Sequence, residues 1–280
     1  MKSPGKIFVN FLNNLFNKII DEKHTWIIKN NAPVLDFLKN NKIVCIFSFD
    51  FKDLFTSIYL SSLKDVLLSY FYDYSISLGI DETLWLNLIN FCIFNNYIFN
   101  GEHCFLQIKG IPQGSNYSSV LANLYLHYFE RNYTYTIPKA FRYIDDLIIF
   151  NYHSFYKDSK NIYPTDLDLV HTNDNIKQTD FLDLHISITE NDLNIDLFDK
   201  RHSFNFHVNR LITWESNISI KVFRNTLINE ICRIKNICNK NNYIQKNITL
   251  LKSALQYNNV PSSFYSNYLK KAGLCPVDIL

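Results

Sequence analysis

No apolar run in the chain is long enough for a membrane span. The greasiest stretch, WLNLINFCIFNNYIF, is broken by asparagine short of the roughly 18 residues required, so no membrane partner is expected. The six cysteines (45, 92, 104, 232, 238 and 275) form no CxxC and no Cys/His ligand spacing, which excludes a zinc finger. Nothing resembles a secretory signal peptide, so free thiols in a reducing, intracellular compartment are expected. Glycine and proline are scarce, at 6 and 7 in 280 residues, and neither a flexible linker nor an internal repeat is visible. Charge is nearly balanced, with 28 basic residues against 26 acidic ones, which excludes a chain-wide field of one sign.

What is present is a core-forming composition, 47% hydrophobic, in a length that suits one large or two modest domains. Charge is unevenly placed: residues 220–280 carry nine Lys/Arg and two acids, about +7, against about −5 elsewhere. Hydrophobic spacing predicts an amphipathic helix over 4–20 with Phe8, Leu12, Leu15, Phe16 and Ile19 on one face. A buried strand over 42–50 ends in Asp50, a helix covers 60–74, and Asp81 caps another that reaches about residue 95. A hairpin is expected to turn at Asn100–Gly101, followed by a helix in SSVLANLYLHYFERNY. FRYIDDLIIF reads as a second hairpin with Asp145–Asp146 at its turn, and FLDLHISI with LNIDLFDK as a third. From about 219 onward the pattern is helical and basic. One compact unit with a C-terminal helical subdomain is expected.

Three pieces carry chemistry. In FDFKDLFTSI, Asp50 ends an apolar strand; alone, such an aspartate is usually a cap or turn former. Asp145 and Asp146 lie between two apolar arms, where adjacent like charges are costly without a cation. In QIKGIPQGSNYSSVLANLY, Gly110 and Gly114 bracket a loop that opens a helix and leaves N–H groups free for a phosphate or base; alone, it reads as an ordinary loop before a helix. In this order the three have the layout of a polymerase palm. Carboxylates at the tips of adjacent strands make a hard-oxygen site, where two Mg²⁺ ions about 4 Å apart activate a 3′-hydroxyl and stabilise a leaving pyrophosphate.

FDFKDLFTSI, GIPQGS with its following helix, and YIDD resemble motifs A, B and C of reverse transcriptases in order and spacing. FNGEHCFLQIKGIPQGSNYSSVLANLYLHYFE and FLDLHISI…LFDKRHSFNFHVNRL are similar to Penelope-like retroelements and their telomerase relatives, more than to retroviral or group II intron enzymes. The likeness spans roughly residues 3–275. It implies an α+β fold: a right-hand polymerase palm, an antiparallel sheet packed on helices, with truncated fingers and a helical thumb. The corresponding segments are fingers 1–41, palm 42–188, primer-grip hairpin and connection 181–218, and basic thumb 219–280.

The resemblance also implies RNA-directed DNA polymerase activity on an RNA template and DNA primer, with dNTPs and two Mg²⁺ ions, or Mn²⁺ in their place. By position, Asp50 and Asp145 would be the main metal ligands and Asp146 the neighbouring acid. Phe51 would offer its backbone to the triphosphate. Phe55, five residues after Asp50, falls where a bulky gate excludes a ribose 2′-OH; a core aromatic is its alternative. Gln113 would touch the incoming nucleotide or template, and Gly114 would give the loop mobility. Lys177 is either the motif D general acid or a solvated loop lysine. Lys221, Arg224, Arg233, Lys235 and Lys252 would track duplex phosphates or else form a solvated helix face.

Reverse transcriptases carry a basic β-hairpin before motif A that this chain lacks, so its fingers are expected from an upstream segment or a further polypeptide. An endonuclease would come from there too, since no GIY-YIG-type nuclease and no telomerase-type RNA-binding domain is recognisable. Phe55 in place of a second aspartate argues against an RNA polymerase. The alternative function is a catalytically silent palm retained as a nucleic-acid-binding or scaffold protein.

Overall fold

The computed structural model describes residues 12–14, 16, 18, 20, 25–78, 81–137, 139–190, 192–206, 208–209 and 211–273. The chain divides into two compact units, Met1–Pro33 with Val44–Asp174, and Val34–Ile43 with Asn175–Leu280. Helix α1 (Ala32–Asn40) buries Val34, Leu35 and Leu38.

The first unit then runs β1 (Ile46–Lys52), α2 (Leu54–Ser57), α3 (Leu60–Leu78), α4 (Glu82–Ile89), β2 (Tyr97–Asn100), β3 (His103–Leu106), α5 (Ser118–Glu130), β4 (Ala140–Tyr143), β5 (Asp146–Phe150), α6 (Phe155–Ile162) and β6 (Asp168–His171). Four strands form an antiparallel sheet in the order β4-β5-β1-β6. β1 is central, so its apolar residues are covered: Phe49 and Phe51 join Leu147 and Ile149 of β5 in one core with Leu63, Leu67 and Tyr70 of α3 and Leu121, Leu124 and Tyr125 of α5. Asp81 caps α4, its carboxylate accepting from the Leu84 N–H at 2.7 Å. Beside β4, the Trp26 carbonyl accepts from the Arg142 N–H, and the Ile28 N–H donates to the Arg142 carbonyl. The β2–β3 ribbon is different, since all eight of its residues are exposed.

The second unit holds a three-stranded antiparallel sheet of β7 (Gln178–Phe181), β8 (Leu184–Ile188) and β9 (Leu193–Leu197), then α7 (Ile220–Ile237), α8 (Asn241–Tyr257) and α9 (Ser262–Lys271). Phe223, Leu227, Ile231 and Ile234 form the apolar stripe of α7. They pack with Ile248, Leu251 and Leu255 of α8 and Tyr265 and Leu269 of α9.

Several expectations shift. β1 continues two residues beyond Asp50, so this aspartate sits within a paired strand rather than at its end. The first hairpin turns at Gly101–Glu102, one residue later than expected, and the second at Ile144–Asp145, one residue earlier, which makes Asp146 the first residue of β5. FLDLHISI is not one strand: Leu182, at φ 54°, and Asp183 turn the chain between β7 and β8. α6 and β6 lie in a stretch whose polar residues hid their periodicity. The helix expected over 4–20 lies mostly outside the described residues; of it, 12–14, 16 and 18 are helical and Leu12 is buried. Two compact units replace the single one expected. Among the described residues, the five cysteines are all free and no helix is long and apolar enough to cross a membrane.

Candidate active site

Asp50 on β1 is the register partner of Asp146 on β5. The Phe51 N–H donates to the Asp145 carbonyl at 3.1 Å and the Asn151 N–H to the Cys45 carbonyl at 3.0 Å, so the hydrogen-bonded pairs fall on the odd residues of β1. Asp50–Asp146 is therefore a non-hydrogen-bonded pair, the closer kind, with Cα atoms about 4.5 Å apart and both side chains on one face. Tyr143 pairs with Asp146 and leaves Ile144–Asp145 as a two-residue loop. Ile144 has φ 57° while Asp145 is not in the positive region, the pattern of a type II′ turn. A β-branched residue at positive φ is strained, and such strain persists only where surrounding contacts hold it. All three aspartates are half-buried.

The glycine loop is fastened to the segment after Asp50. The Gly110 N–H donates to the Ile58 carbonyl at 3.0 Å and the Ile111 N–H to the Phe55 carbonyl at 2.6 Å. Gly110 has φ 84°, and a Cβ there would lie 2.9 Å from the Thr56 Cα and 3.0 Å from the Phe55 carbonyl oxygen. The Gln107 amide donates to the Gly110 and Lys109 carbonyls, and the Ser118 hydroxyl to the Pro112 carbonyl. Phe55 is half-buried, one side packed on the core. Gln113 and Gly114 are exposed, and Gly114 (φ 91°) has open space where a Cβ would go. The backbone of Phe51, expected to face a triphosphate, donates its N–H to the Asp145 carbonyl, and its buried ring meets Tyr163 edge-on at 4.8 Å.

Beneath the turn is a buried polar cluster that sequence reasoning missed. Arg142 and Glu130 are both fully buried and form a bidentate pair, with Nε–Oε1 at 2.6 Å and Nη2–Oε2 at 3.0 Å. The Tyr163 hydroxyl also donates to Glu130, at 2.9 Å; burial first, then this carboxylate, hold its pKa well above the ordinary value. His127 on α5 is stacked on Tyr70, and burial, with Arg142 and Arg131 adding to it, pushes its pKa down to about 4. One signal was available: an arginine in the apolar strand AFRY cannot be buried without an acceptor.

The donor set, two opposed carboxylates and a third on the adjoining turn residue, fits a hard cation. Mg²⁺ commonly takes one or two protein carboxylates and completes its shell with water and phosphate oxygens. Among the described residues, no group of three or more His, Cys, Asp or Glu side chains is gathered closely enough to hold a metal ion alone.

The remaining sequence-derived residues lie in the second unit. Lys177 is exposed; its N–H donates to Asn175 Oδ1 and its carbonyl accepts from the Ile188 N–H. Lys221 and Arg224 are exposed on the first turns of α7, and Lys252 is half-buried on α8. Arg233 pairs with Asp183 at 2.7 Å and Glu230 at 3.5 Å, and Lys235 Nζ donates to the Ala272 carbonyl. Lys240 and Lys246 likewise pair with Asp192 and Asp196. Part of the basic excess is thus used inside the unit.

The profile of the family described as "Reverse transcriptase (RNA-dependent DNA polymerase)" matches residues 5–164, which include Asp50, the glycine loop and the Asp145–Asp146 hairpin. The chain belongs to the reverse transcriptase family. A solved telomerase from Candida albicans, in complex with a TWJ fragment of telomeric RNA, superposes with a TM-score of 0.57 at 14% identity, over 94% of this chain and 49% of that one. Apo telomerase from Candida tropicalis gives 0.51 at 16% identity, over 95% and 50%. At these identities the likeness is one of fold, an α+β polymerase palm with thumb-like C-terminal helices, and the chain spans about half the length of the telomerase chains it matches. No curated protein matches it significantly in sequence.

Proposed function

We propose that the chain is an RNA-directed DNA polymerase domain that adds dNTPs to the 3′-OH of a DNA primer on an RNA template. The observation that carries this reading is the register that sets Asp50 opposite Asp146, one residue from the strained turn bearing Asp145. Asp50 and Asp145, with Asp146 beside them, would hold two Mg²⁺ ions, which supply Lewis-acid activation of the 3′-OH and charge neutralisation on the leaving pyrophosphate; Mn²⁺ has the same donor preference. Phe55 bars a ribose 2′-OH, Gln113 and Gly114 meet the incoming nucleotide or template, and Lys177 gives a proton to pyrophosphate. Lys221, Arg224 and Lys252, with Arg233 and Lys235 at lesser reach, follow duplex phosphates. We assign the palm to 42–188, the primer grip and connection to 181–218 and the thumb to 219–280. An origin in a Penelope-like retroelement, an intracellular site of action and fingers from additional polypeptide complete the proposal.

Primer extension on an RNA template tests it. Asp50→Asn and Asp145→Asn are each expected to abolish Mg²⁺-dependent synthesis while leaving the fold intact; wild-type synthesis by either variant would sink the assignment. The second reading is a silent palm retained for nucleic-acid binding, to which the exposed Lys221 and Arg224 of α7 are equally suited. It predicts duplex binding with no incorporation by the unaltered chain.

A further inference from the structure

We infer that Arg142 is a positioning residue: through one guanidinium it fixes the peptide that carries Asp145 into the site. This rests on the polymerase reading above. All five N–H groups of Arg142 are engaged. Nε and one Nη2 hydrogen go to the two oxygens of Glu130, and the other Nη2 hydrogen points to the Asn123 carbonyl at 3.5 Å. Nη1 donates to Asn123 Oδ1 at 2.7 Å and to the Ile144 carbonyl at 2.9 Å.

That last bond matters most. Its acceptor is the carbonyl of the central peptide of the turn, which joins Ile144, at φ 57°, to Asp145. A cation donating to its carbonyl oxygen holds it in the strained orientation and thereby sets where the Asp145 side chain departs. Glu130 in turn fixes Arg142 from the last turn of α5, and Tyr163 clamps Glu130 while its ring backs Phe51, the neighbour of Asp50. The helix that follows the glycine loop, the strand bearing Asp50 and the Asp145 turn therefore share one buried network. Lysine cannot replace this arginine, because a single ammonium has neither the fork that grips Glu130 nor the reach to serve Ile144 at the same time.

The test compares Arg142→Lys with a triple variant, Arg142→Met/Glu130→Met/Tyr163→Phe, which removes the whole buried network in favour of apolar groups of similar size and so avoids stranding a charge. Both are measured by thermal unfolding, by steady-state primer extension and by amide hydrogen exchange of residues 143–147. In the folded triple variant, kcat is expected to fall about 10- to 100-fold, as a misplaced reacting group costs, with KM for dNTP within about threefold of wild type. Exchange across 143–147 is expected to speed up while β1 away from the turn stays protected. A folded triple variant with wild-type kcat and unchanged hairpin exchange would overturn the inference. If the unaltered chain makes no DNA, the polymerase reading fails instead, and the exchange comparison still decides whether Arg142 holds the turn.

Discussion

Gly110 shows how much one missing side chain can decide. With φ 84° and a would-be Cβ 2.9 Å from the Thr56 Cα, Gly110→Ala must push the loop away from Phe55, whose carbonyl accepts from the next residue. The variant is expected to lose about 1–3 kcal/mol of stability and to admit ribonucleotides more readily, read by denaturant unfolding and by dNTP-versus-rNTP incorporation. His127 gives a pH signature. Its folded pKa of about 4 lies below its ordinary 6.5, so its contribution is intact above pH 6.5. As pH falls from there towards 4, the unfolded chain takes up a proton that the folded one refuses, and about 3 kcal/mol is lost. His127→Phe, which keeps the stacking on Tyr70, should flatten that part of the acid limb in melting curves. At this scale the candidate acids Asp50, Asp145 and Asp146 were legible in the sequence, since charges in apolar strands are conspicuous. Gly110 was visible as a loop glycine, but not as the residue packed against Phe55, because that contact joins segments over fifty residues apart.

Among the elements, two hairpins share a design. Ile144–Asp145 and Leu182–Asp183 each place an aliphatic residue at positive φ and an aspartate after it. The second aspartate is held by Arg233 of α7 at 2.7 Å, both side chains about a quarter exposed. Asp183→Asn should therefore lower stability by about 1 kcal/mol, a value discounted for solvent screening, seen as a lower melting temperature; an unchanged one would mean the pair contributes nothing. Helices α3, α7 and α8 were readable from their apolar spacing. Turn positions were missed by one residue because period-two alternation does not reveal which pair closes a two-residue turn.

At the scale of the whole molecule, the basic C-terminal segment is less available than its charge total implies, since Arg233, Lys235, Lys240 and Lys246 are tied to acids or a carbonyl of their own unit. Lys221→Gln with Arg224→Gln is expected to weaken duplex binding and to reduce the slope of log K against log salt by about 2, one for each phosphate left unneutralised. An unchanged slope would remove these residues from the interface. Stripping divalent metal with EDTA should stop synthesis yet leave that salt-dependent binding in place. The order and spacing of FDFKDLFTSI, GIPQGS and YIDD, and hence the family, were settled by sequence alone, because motif order is one-dimensional information. Only the tertiary structure decided that Asp146 is the residue opposite Asp50, that the strained position is Ile144, that Arg142 grips the turn and that Arg233 is bound to Asp183. Each of these depends on which residue of a distant strand or helix arrives alongside, and local pattern does not specify that.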